Sequence, residues 1–127
     1  MNHKRPVNLN LASLKFPVTA ITSILHRISG IGIFILLPFI LYILHLSLQS
    51  RASFYSLQTM LTCGFVKIIL WLFLTSLAYH SLAGIRHMIG DLGFGEDMAS
   101  ARISAYILIV LAAIAAILLG VWIWCPM

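Results

Sequence analysis

Two short groups of residues put hydrogen-bonding and ionisable side chains within or beside long apolar runs. Hydrocarbon makes such groups costly there, so they are usually functional or tightly paired. The first group is Ser23, His26, Arg27 and Gly30. Ser23 and Arg27 are four residues apart and His26 and Gly30 fall on neighbouring turns, so one helix face would present a hydroxyl, an imidazole and a guanidinium. The second is His80, Gly84, His87 and Asp91, whose successive offsets of four, three and four keep them on a single helix face.

The chemistry open to these residue types is limited. A neutral imidazole nitrogen is a good ligand for iron, and glycine one turn away at Gly84 would let a flat macrocycle lie close to the backbone, so His80 is a candidate haem ligand. Position alone equally allows His80 to do no more than hydrogen-bond another helix. His45 is the obvious second imidazole to test, but it lies far along the first apolar run, near the opposite membrane face. The depths do not match: a second axial ligand would have to come from another polypeptide, and His45 reads as an interfacial residue. Haem propionates are anionic and would seek His26, Arg27, Arg86 and His87. Ordinary basic decoration of a membrane edge accounts for the same residues, most readily for Arg86. A quinone, a flat apolar ring with carbonyl acceptors, needs a hydroxyl or guanidinium donor at the membrane edge, which Ser23 and Arg27 supply. Arg27 would also stabilise negative charge developing on a quinone oxygen.

The elements that must position these residues are membrane spans. Of 127 residues 61% are hydrophobic and 9% charged, with a mean hydropathy of +1.05, a balance that a soluble domain with a polar exterior does not sustain. Three apolar stretches, 28–49, 61–85 and 103–125, each approach the ~20 residues a bilayer core requires. The chain is therefore expected to be an all-α integral membrane protein, a single anchor domain over 1–127, with residues 1–27 forming an N-terminal segment and the start of the first helix. Lys4, Arg5, Lys15 and Arg27 precede the first span and Arg86 and Arg102 lie between the second and third, against Arg51 alone in the other connection. Lys67 can snorkel outward from the second span, so the positive-inside bias predicts a cytoplasmic N-terminus.

Local signals refine this layout. Pro17 suits the first turn of a helix, and no breaker follows before Arg27, so the first helix is expected to start on the cytoplasmic side. Pro38 predicts a kink. The third span holds no ionisable residue, but Ala112, Ala116 and Gly120 recur every fourth position as a ridge for close helix approach. Trp122 and Trp124 read as an interfacial aromatic belt. The stretch Asp91 to Arg102 reads as a polar turn with no phosphate or metal-loop pattern, and its acidic pair, Glu96 and Asp97, is assigned no chemistry.

Other classes fit poorly. The net charge of +5 is scattered without a dense basic run, which argues against nucleic acid. Cys63 and Cys125 form no CxxC, CxxCH or zinc spacing and read as packing residues, although both would lie near the outer face, where a disulfide is geometrically conceivable. The polar segment before the first apolar run does not resemble a cleaved signal peptide.

The stretches RPVNLNL, KFPVTAITSILHRISG and LAYHSLAGIRHMIGD together resemble the cytochrome b membrane-anchor subunit of succinate dehydrogenase, the succinate:quinone oxidoreductase known as complex II. The patterns S-x-x-H-R-x-S-G over Ser23 to Gly30 and H-x-x-x-G-x-R-H-x-x-x-D over His80 to Asp91 stand in the family's order without departure. With the three-span layout the resemblance covers nearly the whole chain. It implies a heterotetramer in the bacterial cytoplasmic (inner) membrane: a flavoprotein oxidises succinate in the tricarboxylic acid cycle, an iron-sulfur subunit carries the electrons, and two hydrophobic anchor subunits pack around haem b and reduce ubiquinone. By resemblance His80 matches the axial haem ligand, Ser23 and Arg27 the quinone-binding residues, and His26 with Arg27 contacts on the propionate side. His87 ranks second as a cofactor contact, and Asp91 is a candidate for a proton path.

The chain would then be a non-flavin subunit, not catalytic for succinate oxidation on its own, since it has no dinucleotide fingerprint and no sizeable soluble domain. A haem-free structural anchor for a peripheral enzyme is the rival expectation. A small transporter subunit is a second, disfavoured by the lack of an acidic residue in mid-span.

Overall fold

The computed structural model describes residues 17–125, so Lys4, Arg5, Lys15 and the RPVNLNL stretch lie outside the described residues. The elements run α1 (Val18–Gln49), α2 (Arg51–Leu61), α3 (Gly64–Asp91) and α4 (Met98–Trp124), with no strand among the described residues. Helices α1, α3 and α4 are each long and apolar enough to cross a membrane. The all-α, multi-pass membrane architecture follows. At ~1.5 Å per residue even the shortest of the three exceeds the ~30 Å hydrocarbon core, so all reach beyond their apolar stretches.

The helix ends depart from the sequence reading in three places. Pro17 is the N-cap of α1, just outside the first turn, where its missing N–H leaves no helical bond unmade. The connection after the first span is not a plain loop. It carries α2, capped by Ser50, whose Oγ accepts the Ser53 N–H at 3.1 Å, and pinned by Leu57, 3% exposed. The polar turn before the third span is shorter than expected, because α3 runs on to Asp91 and α4 starts at Met98. Gly93 and Gly95 turn the chain with φ of +87° and +71°, a left-handed conformation that favours glycine. Asp97, assigned no role from the sequence, caps α4 by accepting the Ser100 N–H at 3.0 Å. Hydrogen bonds from Ser100, side chain first and backbone second, hold the Asp97 carboxyl below the usual carboxylate range.

In lipid, helices are held by close packing and interhelical hydrogen bonds rather than by burial from water. Helix α3 packs against both α1 and α4. Small buried residues line these contacts: Thr22 and Ser29 on α1, Ala83 on α3 and Ala105 on α4. The Tyr79 hydroxyl donates to the Thr22 carbonyl at 2.8 Å, tying α3 to α1. Trp71 Nε1 donates to the Ala116 carbonyl at 2.9 Å, tying α3 to α4. A Cβ added at Gly120 would stand 3.4 Å from the same nitrogen, so part of the small-residue ridge on α4 is the seat of the Trp71 indole. Trp124 stands edge-on to Trp71, ring centroids 6.4 Å apart, and so packs as well as facing the interface, whereas Trp122 is exposed. Cys63 and Cys125 are free and exposed, which corrects their reading as packing residues.

Candidate functional site

Helix α1 begins, α3 ends and α4 begins at the same end of the bundle, and both polar groups meet there. His80 is half-buried against α1. Its Nδ1 lies 3.1 Å from the His26 carbonyl oxygen and 3.1 Å from Ser29 Oγ. A carbonyl can only accept, so Nδ1 carries the proton. Ser29 Oγ gives its own proton to the His26 carbonyl at 2.7 Å and is thereby free to accept from Nδ1. In the neutral ring, Nε2 is then left with its lone pair. A histidine whose one nitrogen donates to a carbonyl while the other offers a lone pair has the second-shell arrangement that metal-ligating histidines use.

Gly30 permits this approach. A Cβ there would meet His80 Cε1 at 3.1 Å, tighter than a side chain tolerates without displacement. The sequence reading gave Gly84 a different task, leaving room for a flat macrocycle beside the backbone. Within this chain a Cβ at Gly84 would make only an ordinary 3.9 Å contact, with His26 Nε2. His26 stacks on His80, ring centroids 4.3 Å apart and planes tilted by 32°, and its Nε2 is buried without a hydrogen-bond partner among the described residues. Both observations suit a macrocycle with acidic substituents: a ligating lone pair on His80, and beside it an orphaned imidazole nitrogen on His26.

Above His26 lies a cavity of about 170 Å³ lined by Ser23, His26, Arg27, Arg86 and His87, with Thr22, Ala83 and Leu108. Ser23, His26, Arg27 and His87, chosen from sequence as two separate groups, thus share one cavity, which His80 adjoins through its contact with His26. Ser23 and Arg27 are exposed, so the cavity is open at their side of α1. Asp91 does not line it; its carboxylate lies 3.9 Å from His87 Nδ1, both side chains being largely exposed. His45 is exposed toward the other end of α1, and at ~1.5 Å per residue it stands about 22 Å along the axis from Gly30, the residue His80 packs on. His45 is therefore too far along α1 to share a ligand position with His80, the mismatch in depth that the sequence reading expected.

One participant escaped the sequence reading and another was weighed there with its mounting unseen. Ser29, the hydrogen-bond partner of His80, was visible as the second serine of S-x-x-H-R-x-S-G, but nothing in its spacing distinguishes it from a packing serine. Arg86, weighed from sequence both as a propionate contact and as edge decoration, is mounted on α4: Nε donates to Ser104 Oγ at 2.9 Å and Nη2 to the Ala101 carbonyl at 3.0 Å. Helix α4, free of ionisable residues across its apolar stretch, contributes to the site through these acceptors.

Fold and site together define a three-span helical membrane subunit whose polar residues gather at one end, around the half-buried His80 imidazole. A family model described as succinate dehydrogenase/fumarate reductase transmembrane subunit matches residues 1–119. Among curated proteins, the chain is 49% identical over 125 residues to the succinate dehydrogenase cytochrome b556 subunit of Coxiella burnetii, covering 98% of this chain and 100% of that one. It is 36% identical to the cytochrome b560 subunit of Reclinomonas americana (88% and 81% covered). To the b556 subunit of Paracoccus denitrificans it is 32% identical (90% and 88% covered). The chain belongs to the succinate dehydrogenase/fumarate reductase transmembrane subunit family, as a cytochrome b membrane-anchor subunit of succinate dehydrogenase.

Proposed function

We propose that this subunit binds haem b through His80 and forms, with Ser23 and Arg27, its share of the site where electrons from succinate oxidation reduce ubiquinone. The single observation that carries the reading is the 3.1 Å separation of His80 Nδ1 from the His26 carbonyl oxygen: a carbonyl only accepts, so the proton belongs on Nδ1 and Nε2 is left as a ligand. Haem b, when bound, supplies a one-electron centre beside the quinone site. A second haem ligand would come from the other hydrophobic anchor subunit, since among the described residues His45 lies far along α1 and His26 stacks on His80 itself. His26 and Arg27 would face the propionates, the buried His26 Nε2 finding there the partner that the described residues do not provide.

At the quinone, the Ser23 hydroxyl and the Arg27 guanidinium donate to a ring carbonyl and orient it, and Arg27 offsets the charge that develops as electrons arrive. The His87–Asp91 pair, exposed beside the cavity, is suited to relaying protons from water, and His87 ranks second as a cofactor contact. Arg27, Arg86 and Arg102 gather at one end of the bundle, which supports a cytoplasmic N-terminus in the bacterial inner membrane. The same end docks the iron-sulfur subunit, which receives electrons from the flavoprotein. Succinate itself is handled by the flavoprotein.

The rival, a haem-free anchor, separates in one measurement. The complex purified from membranes is expected to show a b-type reduced-minus-oxidised absorbance in about equimolar amount to flavin, reducible through succinate. A complex with full succinate oxidation and no such absorbance would establish the haem-free anchor instead.

A further inference from the structure

We infer that Arg86 is, beside Arg27, the second cation of the Ser23–Arg27 cavity and that its guanidinium holds a haem propionate; the inference rests on the haem reading above. The argument starts from charge. Arg86 is half-buried near the edge of the expected apolar layer, where an unpaired cation is costly. The whole sequence has only three acidic side chains, Asp91, Glu96 and Asp97. Asp91 pairs with His87 and Asp97 caps α4. Glu96 lines a larger cavity of about 630 Å³ that Arg86 also borders, yet no ion pair between them forms within 4.0 Å. The chain therefore does not supply the counter-charge.

The mounting of Arg86 points the same way. Nε and one N–H of Nη2 are spent on Ser104 Oγ and the Ala101 carbonyl, both neutral acceptors that fix the guanidinium plane without satisfying its charge. Of the five donors of a guanidinium, three remain. The side chain borders the 170 Å³ cavity, whose lining contains two arginines, two histidines and no acid. A planar fork held rigid by two bonds, opening on an acid-free cavity, matches a carboxylate, which accepts such a fork with two oxygens. His26, whose buried Nε2 has no hydrogen-bond partner among the described residues, lines the same cavity.

The test is a redox titration of the haem band in the whole purified complex. Neutralising a cation paired to a propionate favours the oxidised haem. Arg86→Gln is expected to lower the reduced-to-oxidised ratio at fixed applied potential about threefold to tenfold, equivalent to about 30 to 60 mV for a one-electron couple. Arg102→Gln, the same charge loss at an exposed α4 position, is expected to change the ratio by less than about 1.5-fold because solvent screens it. Should Arg86→Gln fail to assemble, Arg86→His serves: the haem potential is then expected to fall more steeply than in the parent between about pH 6 and 8, as the imidazole loses its charge. A b-type haem whose potential is no more affected by Arg86→Gln than by Arg102→Gln, or an Arg86→His complex with the parent's pH slope, would overturn the inference while leaving the haem reading intact. Absence of any b-type absorbance in the parent complex would remove both.

Discussion

Replacing Arg27 by leucine is expected to abolish most quinone reduction by the assembled complex while leaving succinate oxidation by a soluble dye acceptor nearly unchanged. Arg27 is exposed, with its side chain on the cavity that Ser23 shares, and it makes no hydrogen bond that holds the helices together among the described residues. Its loss therefore removes a charge-assisted donor without removing packing. Such a donor contributes about 1.5–3 kcal/mol, which corresponds to about 10- to 100-fold in rate if it acts on the developing negative charge. Dye reduction bypasses the membrane site and reports assembly. Parallel loss of both activities would show that Arg27 acts in assembly, not on quinone. Ser23→Ala, which removes a neutral donor, is the milder companion substitution, because neutral hydrogen bonds contribute less than charged ones.

The second large effect belongs to Gly30. A leucine there would drive its side chain into the His80 ring, which already stands 3.1 Å from the position of an added Cβ. Either α1 and α3 move apart or His80 turns away from the His26 carbonyl and Ser29. Overpacking of this kind costs about 1–3 kcal/mol, and the resulting misplacement of Nε2 should reduce the b-type absorbance per flavin by roughly half or more. Gly90→Ala, on the same helix as His80 but with nothing within 4 Å of its Cβ position, is the matched control and should leave the spectrum intact. A Gly30→Leu complex with the parent's spectrum and thermal stability would mean that the α1–α3 contact is looser than its geometry indicates.

These expectations also mark how far the sequence could be read. The three crossing helices were legible because apolar stretches of about bilayer length leave the chain few alternatives. The meeting of Ser23, His26 and Arg27 with His87 was legible as well, since helical spacing fixes each face and antiparallel spans bring the end of α3 to the start of α1. Helix α2 was not, because eleven residues of mixed polarity are too few to carry a spanning signal and only its Ser50 cap and the buried Leu57 betray it. The capping role of Asp97 was obscured because the hydropathy edge of the third span falls several residues after the true helix start.

Side-chain direction was the harder limit. Spacing put His80 and Gly84 on one face, yet the glycine against the His80 ring is Gly30 of another helix. The proton on His80 Nδ1 follows only from the position of the His26 carbonyl, a backbone atom whose placement no motif encodes. Arg86 reads in sequence as a propionate contact or, more readily, as one more basic residue at a membrane edge. Its two acceptors, Ser104 and Ala101, lie on the one span that looked chemically inert.

Coordination by His80 is tested most directly by the reduced-minus-oxidised optical spectrum of the complex carrying His80→Tyr, recorded beside the parent complex at equal flavin content. With Nε2 gone, the low-spin b-type bands should be lost or replaced by those of a differently ligated iron, while the flavin and dye-linked succinate oxidation persist. Unchanged band positions and intensity in that variant would show that the iron takes its ligand elsewhere.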